Sequence, residues 1–237
     1  MEDLEAWRAA RRAELLTARQ AIAAETRGRL TESLREHLCT VLPAVHALVI
    51  GCYNPFRGEP DLRPLLDTWR AAGADTALPV VTGRGQAMEF RSWWPGCPVV
   101  KGPFSLLMPN GTPLVIPQVV LMPPVGFDEQ GYRLGYGGGY FDRTLAALSP
   151  TPIKIGVAFE LSRMVSIQPQ TYDIPMDFIV TELGVYARQD GRLARLDSAA
   201  EVGRAMAAHL LRRAVADDTV DGCASPPCYA ADFDSNT

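Results

Sequence analysis

Short apolar runs spaced along the chain constrain its fold more than any other feature of the sequence. There are five of them: ALVIGCY (47–53), ALPVV (77–81), QVVLMPPVGF (118–127), IKIGVAF (153–159) and DFIVTE (177–182). Apolar runs without polar alternation are typical of parallel strands that are buried on both faces of a sheet. Because helical segments separate several of the runs, we predict an α/β fold with a mostly parallel sheet covered by helices on both faces.

Three helical segments are predicted in the first third of the chain, at residues 2–24, 31–42 and 62–73. Apolar residues at helical spacing mark these segments, Thr31 is a suitable N-cap for the second, and a glycine ends the third. Residues 83–111 are predicted to be irregular. In a parallel sheet, ligands bind outside the carboxyl ends of the strands. We therefore expect the functional site in the loops that follow the strands.

Composition excludes several classes of protein. The 237 residues carry a formal net charge of −4, which gives no overall attraction for nucleic acid or for an anionic membrane. No apolar run approaches the roughly 20 residues that cross a bilayer, and the N-terminal residues lack the apolar stretch of a signal peptide. The five cysteines form no CxxC pair, which disfavours a zinc site and indicates free thiols. We expect a cytoplasmic protein with no nucleic-acid or membrane partner.

The segment GYRLGYGGGYFDR (131–143) carries the strongest chemical signal, with four glycines just before a helical stretch: Gly135, Gly137, Gly138 and Gly139. Clustered glycines let backbone N–H groups turn toward an anion, and a following helix adds its positive end. Arg133 and Arg143 flank the glycines, and Asp142 offers a hard oxygen to magnesium. The alternative is a turn that needs glycine only for its geometry, because neither standard phosphate-binding motif is present.

Other charged residues are ambiguous when taken singly. Arg8, Arg12 and Arg19 lie on one face of the first predicted helix, where they could reach a polyphosphate. A solvated surface face is the alternative interpretation of such a stripe. Asp173 stands before an Ile-Pro pair, where it could serve only a turn, and Glu59 lies in a Gly/Pro loop where exposure is expected.

The aromatic cluster FRSWW (90–94) could form one wall of a pocket for a flat heterocycle. Core packing is the alternative. The three histidines have no serine or cysteine elbow motif near them, so we assign them structural or surface roles. The sequence therefore indicates no nucleophile triad.

Taken together and in order, these segments resemble the 5-formyltetrahydrofolate cyclo-ligase family over roughly residues 4–182. The resemblance is carried by YNPFRGEPDLRPLL, LPVVTGRGQAMEFRSW, VVLMPPVGFDEQGYRLGYGGGYFDR, IGVAFE and YDIPMDFIVTE. It implies a three-layer α/β/α sandwich. It also implies an ATP- and magnesium-dependent enzyme that converts 5-formyltetrahydrofolate to 5,10-methenyltetrahydrofolate and releases ADP and phosphate, by phosphorylation of the formyl oxygen and attack by N10.

The resemblance further implies a role for each matching residue. ATP would be held by a cationic and glycine-rich set, Arg8, Arg12, Arg133, Gly135, Tyr136, Gly137, Gly138 and Gly139. Magnesium would be held by two carboxylates, Asp142 and Asp173. The folate would be bound by Asn54, Glu59, Trp93 and Tyr140. The catalytic residues would be Arg143 and Tyr140. Partners would be these small molecules alone, and we expect a monomer.

The chain departs from the family pattern at a few positions. Phe141 stands where the family usually has a second tyrosine, so any hydroxyl contact there is lost. Gln118 stands where Asp is frequent, and the region around Met108 lacks the usual Glu-Pro pair. None of these changes touches the groups assigned to phosphate or metal.

Two other classes of function stay open at the level of sequence. Sugar-phosphate isomerases and CoA transferases have a related architecture but need no ATP, so ATP dependence separates them. A non-catalytic protein that binds folate or nucleotide is the second alternative. Intact Asp142 and Asp173 disfavour it, because a binding-only protein has little need of a magnesium pair.

After about Val185 the apolar runs give way to a polar turn, RQDGR, and a predicted helix. We predict an α/β catalytic domain over residues 1–187 and a C-terminal extension over 188–237. The extension contains one predicted helix, at 198–215, followed by predicted disorder. Because all the assigned site residues precede it, we expect a chain that ends near Arg188 to keep its catalytic activity.

Overall fold

The five apolar runs become neighbouring strands of one sheet in the computed structural model, which describes residues 3–221, without the side chains of 214–221. In chain order the strands are β1 (Val49–Gly51), β2 (Asp75–Val80), β3 (Glu89–Ser92), β4 (Val99–Lys101), β5 (Leu107–Pro109), β6 (Val119–Met122), β7 (Gly126–Asp128), β8 (Arg133–Leu134), β9 (Ile153–Val157), β10 (Arg163–Met164), β11 (Phe178–Thr181), β12 (Gly184–Gln189) and β13 (Arg192–Leu196). The helices are α1 (Leu4–Gln20), α2 (Ala24–Val41), α3 (Arg63–Ala71), α4 (Tyr140–Ala147) and α5 (Ala199–Asp221).

The large sheet has the strand order β13-β12-β11-β9-β6-β1-β2-β3. Its middle strands, from β11 to β2, are parallel to one another, and the strands at both edges pair antiparallel. The predicted mostly parallel sheet is therefore confirmed. Two small sheets, β10-β7-β8 and β4-β5, lie outside it.

Apolar side chains fill both faces of the sheet. On β6, Val119 and Leu121 belong to one buried cluster with side chains of α2, α3 and α5. Val120 and Met122 belong to a second cluster with Leu145 of α4. Because successive strand residues point to opposite faces, this division explains why the central strands carry uninterrupted apolar runs. The arrangement confirms the three-layer α/β/α sandwich.

The helices differ from the prediction mainly in where they begin. α2 begins at Ala24, and Thr31, predicted as its N-cap, is a buried residue inside it. Gly28 does not interrupt this helix even though glycine is a poor helix former. Along the described residues, no helix is both long and apolar enough to cross a membrane.

Residues 83–111 are not irregular as predicted, because they contain β3, β4 and β5. β3 pairs antiparallel with β2 at the edge of the large sheet. β4 and β5 form a separate hairpin, joined by a turn at Pro103–Ser105. This hairpin contributes to the cleft described below.

The large sheet continues beyond the predicted domain boundary. Residue 187 lies inside β12, so a division after it would cut a strand. β12 pairs antiparallel with β13 through a turn at Asp190 and Gly191, which have φ angles of 48° and 81°. Positive φ at both central residues is typical of the tight turns that join hairpin strands. The polar segment RQDGR (188–192) is therefore the turn of a hairpin in the large sheet.

The predicted C-terminal helix is present and packs on the fold. α5 runs to Asp221, past the predicted end at residue 215. Val202 and Met206 are buried in the cluster that also contains α2 and α3. The remainder of the predicted disorder falls on residues 222–237, which lie outside the described residues.

Candidate active site

A cleft of about 280 Å³ opens at the carboxyl ends of β1, β2 and β6. Residues just after each of these strands line it: Asn54 after β1, Val81 after β2 and Pro123 after β6. The glycine loop (residues 135–139) and the first residues of α4 also line the cleft. It therefore lies at the edge of the sheet where the sequence predicts a ligand site.

An apolar wall forms much of the cleft. Its side chains come from separate segments of the chain, and they are Phe56, Val81, Met88, Phe104, Leu107, Met108 and Met122. Phe104 and Leu107 belong to the β4–β5 hairpin and are 67% and 49% exposed, so they are available to a ligand. A largely apolar lining with a few polar groups suits a flat heterocycle. The sequence did not predict this wall, because isolated apolar side chains in loops have no period to detect.

Positive φ angles shape the glycine loop. Gly137 (φ 93°) and Gly139 (φ 61°) adopt conformations that other residues rarely adopt, and Gly139 is the N-cap of α4. The Nε atom of Arg12 donates a hydrogen bond to the carbonyl of Gly135 (2.8 Å), so α1 anchors the start of the loop. The loop therefore brings an arginine and the positive end of a helix to one place, which favours anion binding.

Two ion pairs lie beside the glycine loop. Arg8 of α1 pairs with Asp173, and Arg133 of β8 pairs with Asp142, at N–O distances of 2.6 and 2.7 Å. Both arginines are buried, so the surface interpretation is wrong for Arg8. The backbone N–H of Ile174 donates to Asp142 Oδ1 (3.1 Å), which places Asp142 next to the segment that carries Asp173. Burial lowers the pKa of the Arg133 guanidinium, and the Asp142 carboxylate opposes that effect.

The two neighbouring carboxylates fit a magnesium ion that shares its coordination with a nucleotide. Magnesium is usually held by one or two carboxylates together with phosphate oxygens and water, rather than by a cage of protein ligands. Within residues 3–221, no group of three or more His, Cys, Asp or Glu side chains is placed to hold a metal ion. Asp142 and Asp173 could therefore supply the protein's share of the ligands of a magnesium ion.

Arg19, Tyr136 and Glu59 form a hydrogen-bonded group at another part of the cleft, in which Arg19 and Glu59 are buried. The Tyr136 hydroxyl accepts a hydrogen bond from Arg19 Nη2 (2.6 Å) and donates one to Glu59 Oε1 (2.6 Å). Glu59 Oε2 accepts from the backbone N–H of Phe56 (2.8 Å), and Arg19 Nη2 lies 3.6 Å from Glu59 Oε1. Glu59 is buried, not exposed as its Gly/Pro loop predicted.

Burial also changes the acidity of this group. It raises the pKa of Glu59 to about 7, while the hydrogen bond from Tyr136 and the charge of Arg19 act in the opposite direction. Burial likewise raises the pKa of Tyr136. Arg19 was predicted only as part of a helix stripe with Arg8 and Arg12. That helical spacing was the available signal for its position here.

The structure places most of the other predicted site residues in or beside the cleft. Asn54 and Tyr140 line it, and the Asn54 amide donates to the carbonyl of Leu107. Arg143 donates to the carbonyl of Gly138 in the glycine loop, and its guanidinium lies 5.4 Å from the centre of the Tyr140 ring. Arg143 therefore sits against the loop.

Trp93 is not brought to the cleft. β3 runs antiparallel to β2, so the chain that follows it lies at the amino end of β2, away from the carboxyl ends that form the cleft. The backbone N–H of Trp93 donates to the carbonyl of Thr76 (2.7 Å), and its side chain packs against the core cluster that contains α3. Phe90 is buried in the other core cluster. Core packing is thus the use that the structure makes of Phe90 and Trp93, whereas Trp94 is 36% exposed.

Comparison with known proteins identifies the family. The model of the 5-formyltetrahydrofolate cyclo-ligase family matches residues 4–182. The chain belongs to this family. The predicted family is therefore confirmed, and with it the prediction that the chain is an enzyme of the cyclo-ligase type. The residues that line the cleft all lie within the matched range, whereas β12, β13 and α5 follow it.

Individual relatives agree with the family match. The 5-formyltetrahydrofolate cyclo-ligase of Escherichia coli K12 is 28% identical over 71% of this chain and 96% of its own length. The enzyme of the same name from Mycolicibacterium smegmatis is 29% identical over 72% of this chain and 91% of its own.

Solved structures agree in fold. The 5,10-methenyltetrahydrofolate synthetase of Aquifex aeolicus, at 29% identity, superimposes with a TM-score of 0.68 over 80% of this chain and 97% of that one. A 5,10-methenyltetrahydrofolate synthetase from Mycoplasma pneumoniae gives a TM-score of 0.62 at 22% identity, over 74% of this chain and 98% of that one. At that identity the second likeness concerns the fold alone.

Proposed function

We propose that the chain catalyses the ATP- and magnesium-dependent conversion of 5-formyltetrahydrofolate to 5,10-methenyltetrahydrofolate, with release of ADP and phosphate. One observation carries the proposal. A single cleft combines a glycine loop, Arg133 and Asp142 with an apolar wall and the buried Glu59. The buried Arg8–Asp173 pair lies beside the glycine loop. The glycine loop with its charged neighbours suits a nucleoside triphosphate, and the apolar wall with Glu59 suits a flat heterocycle.

The chemistry explains why both ligands must share one cleft. A formamide oxygen is a poor leaving group, so the formyl oxygen of the folate first takes the γ-phosphoryl group of ATP, which leaves ADP. The folate N10 then attacks the activated formyl carbon and loses its proton, and the C–O bond breaks to expel phosphate and leave the closed methenyl ring. The protein positions the reactants and stabilises the moving charge, and needs no covalent nucleophile.

The phosphate end of the cleft is assigned to the cationic and glycine-rich residues. Arg8, Arg12, Arg133 and the backbone of the glycine loop bind the phosphates, and Arg143 stabilises charge on the transferred group. Asp142 and Asp173 hold magnesium, which neutralises negative charge on the phosphates when it is bound. The Arg8–Asp173 and Arg133–Asp142 pairs keep these charges neutralised within the protein until nucleotide binds.

The folate end is assigned to Glu59, Asn54 and Tyr140 together with the apolar wall. Glu59 accepts hydrogen bonds from N–H groups of the pterin, for which its carboxylate must be ionised. The apolar side chains cover the faces of the flat rings. Because Trp93 lies outside the cleft, we give it no contact with the folate. We further propose that the enzyme acts as a cytoplasmic monomer.

An absorbance assay on the purified full-length chain tests the proposal. With MgATP and 5-formyltetrahydrofolate, we expect the near-ultraviolet absorbance of methenyltetrahydrofolate to appear, with one ADP released per product. Omitting ATP, or removing magnesium with a chelator, should stop the reaction. Equally fast product formation without ATP would contradict the proposal and favour an ATP-independent enzyme.

A further inference from the structure

The side chain of Tyr136 joins two parts of the cleft that the proposed function assigns to different ligands. Its backbone belongs to the glycine loop, which is assigned to the phosphates of ATP. Its hydroxyl reaches Glu59, which is assigned to the pterin of the folate, and donates to Oε1 at 2.6 Å. A movement of the loop would therefore change the surroundings of the carboxylate directly.

Of the three hydrogen-bonded residues Arg19, Tyr136 and Glu59, Tyr136 is the one that belongs to the glycine loop. Arg19 belongs to α1, is 2% exposed and is also tied to the carbonyls of Arg57 and Pro124 (3.0 and 3.2 Å). Glu59 is held in its own loop by two hydrogen bonds to Phe56. Its carboxylate accepts from the backbone N–H of Phe56, and its own backbone N–H donates to the carbonyl of Phe56 (3.1 Å). Tyr136 instead has a glycine on each side and is 39% exposed. It can therefore follow a change of the loop while its partners stay in place.

We propose that Tyr136 is a positioning residue that couples the nucleotide and folate subsites. When the glycine loop holds phosphates, it keeps the Tyr136 hydroxyl on Glu59 and so fixes the carboxylate that receives the pterin. The inference rests on the proposed function, because it takes these two ligands from it. Since coupling between two binding equilibria is reciprocal, each ligand should tighten the binding of the other by the same factor.

The acidity of Glu59 supports this role. Its pKa of about 7 reflects burial, which favours the neutral acid, opposed by the hydroxyl of Tyr136 and the charge of Arg19. The other titratable groups that face it are Cys52 and Tyr53, just after β1. Losing the hydroxyl would raise the pKa of Glu59 further, and less of the carboxylate would then be ionised at neutral pH.

The substitution Tyr136→Phe tests the coupling, because it removes the hydroxyl and keeps the ring. The dissociation constant of 5-formyltetrahydrofolate is measured by calorimetry with and without a saturating, non-hydrolysable ATP analogue and magnesium. The reverse titration of the analogue is run with and without folate. We expect the wild type to show a coupling factor of at least about fivefold and the variant less than about twofold.

Tyr132→Phe is the matched control, since it removes a hydroxyl from the β7–β8 hairpin just before the loop. The ring of Tyr132 packs near Arg188 (5.8 Å) and does not line the cleft. We expect its affinities and its coupling factor to equal those of the wild type. A loss of coupling in both variants would contradict a specific role for Tyr136.

A pH series separates positioning from a merely structural effect. In the wild type, folate affinity should fall as the pH drops through the pKa of Glu59, because the protonated acid accepts the pterin N–H groups poorly. In Tyr136→Phe this loss should begin at a higher pH. A structural defect would instead weaken binding equally at every pH.

The possible failures are distinguishable. Wild-type protein that binds neither ligand would contradict the proposed function, and the inference with it. Wild-type protein that binds both ligands with a coupling factor near one would overturn the inference alone. So would a Tyr136→Phe variant with wild-type coupling and an unshifted pH profile.

Discussion

Three buried arginines, Arg8, Arg19 and Arg133, each have a carboxylate partner in or beside the cleft. Burying a charge is costly unless it is paired and hydrogen-bonded. The partners of two of them, Asp173 and Asp142, are also the carboxylates proposed for magnesium. In the proposed complex, Arg8 and Arg133 would turn to phosphate oxygens, and their carboxylate partners would become available to the ion. The same side chains would then neutralise one another in the free protein and provide both kinds of charge to the bound nucleotide.

Because Asp142 takes part in this exchange, substituting it tests the proposed metal site directly. We expect Asp142→Asn to lower turnover by roughly a hundredfold, or ~3 kcal/mol of transition-state stabilisation. It should also raise the magnesium concentration that gives half-maximal rate, because one charged ligand is lost. Asp173→Asn should act in the same direction, and the double variant should lose less than the sum if both hold one ion. The measurement is turnover against magnesium concentration.

The control for this series is Asp67→Asn, which removes the same charge from an exposed position on α3. It should leave both turnover and magnesium dependence unchanged, and circular dichroism should show that every variant folds. Wild-type turnover with unchanged magnesium dependence in Asp142→Asn would refute the metal site. Asp142 would then be only the structural partner of Arg133.

Among the elements, the glycine loop depends most directly on residue type. Gly137 has φ 93°, where a side chain is strained, although a Cβ there would have space, with the guanidinium of Arg12 nearest at 3.5 Å. The loop is exposed, so an alanine could relax it in the free protein, and nucleotide would then have to restore the strained form. We expect Gly137→Ala to weaken binding of the ATP analogue by about 5- to 150-fold, for roughly 1–3 kcal/mol of strain. Calorimetric titration of the wild type and the variant with the ATP analogue measures this change in affinity.

Gly28→Ala is the matched control at the level of elements. Gly28 lies exposed inside α2, and a Cβ built there meets nothing within 4 Å. This variant should be more stable by roughly 0.5–1 kcal/mol, seen as a higher melting temperature, with unchanged nucleotide affinity. Unchanged affinity in Gly137→Ala would mean that the loop's backbone conformation does not matter for the phosphates.

The strands differ in how clearly the sequence predicts them. The central strands were predictable, because burial on both faces requires an uninterrupted apolar run such as VVLM at 119–122. The β12–β13 hairpin was missed although its Asp190-Gly191 pair is a strong turn signal between alternating strands. The composition around it is polar because these strands lie at the edge of the sheet. Without an apolar run on either side of the turn, the two strands were not predicted.

The two ends of the cleft were also unequally predictable. The phosphate end rests on residues with distinctive chemistry, such as the glycines at 135–139, Asp142 and Asp173, which a sequence displays directly. The apolar wall is assembled from single side chains that only the tertiary fold brings together. Trp93 was placed wrongly because its position depends on the direction of β3, which the sequence does not reveal. Burial of Glu59 likewise depends on partners far away in the chain.

At the scale of the whole molecule, the segment after residue 188 is part of the fold. β13 pairs along the length of β12, and α5 buries Val202 and Met206 against the core. Fully burying a side chain of this size contributes about 1.5–3 kcal/mol, and a domain of this kind has only about 5–15 kcal/mol in total. We therefore no longer expect a chain that ends near Arg188 to stay active.

We expect a chain that ends after Arg188 to lose its cooperative thermal transition and to be recovered mostly as aggregate, because it exposes one edge of the sheet and one face of the core. A chain that ends after Asp221 keeps every described element and should retain the wild-type melting temperature and turnover. Differential scanning calorimetry and the absorbance assay compare the two. Folded, active protein from the shorter chain would show that the C-terminal strand and helix are dispensable.

A pair of substitutions in α5 tests the same packing without shortening the chain. Met206 is 3% exposed and Leu211 is 68% exposed on the same helix. Met206→Ala should destabilise the protein by about 2–5 kcal/mol, whereas Leu211→Ala should change stability by less than about 0.5 kcal/mol. Equal melting temperatures for the two variants would mean that α5 contributes little to the core. Turnover of folded Met206→Ala at low temperature should stay at the wild-type level, because α5 stabilises the sheet that carries the cleft and contributes no residue to its lining.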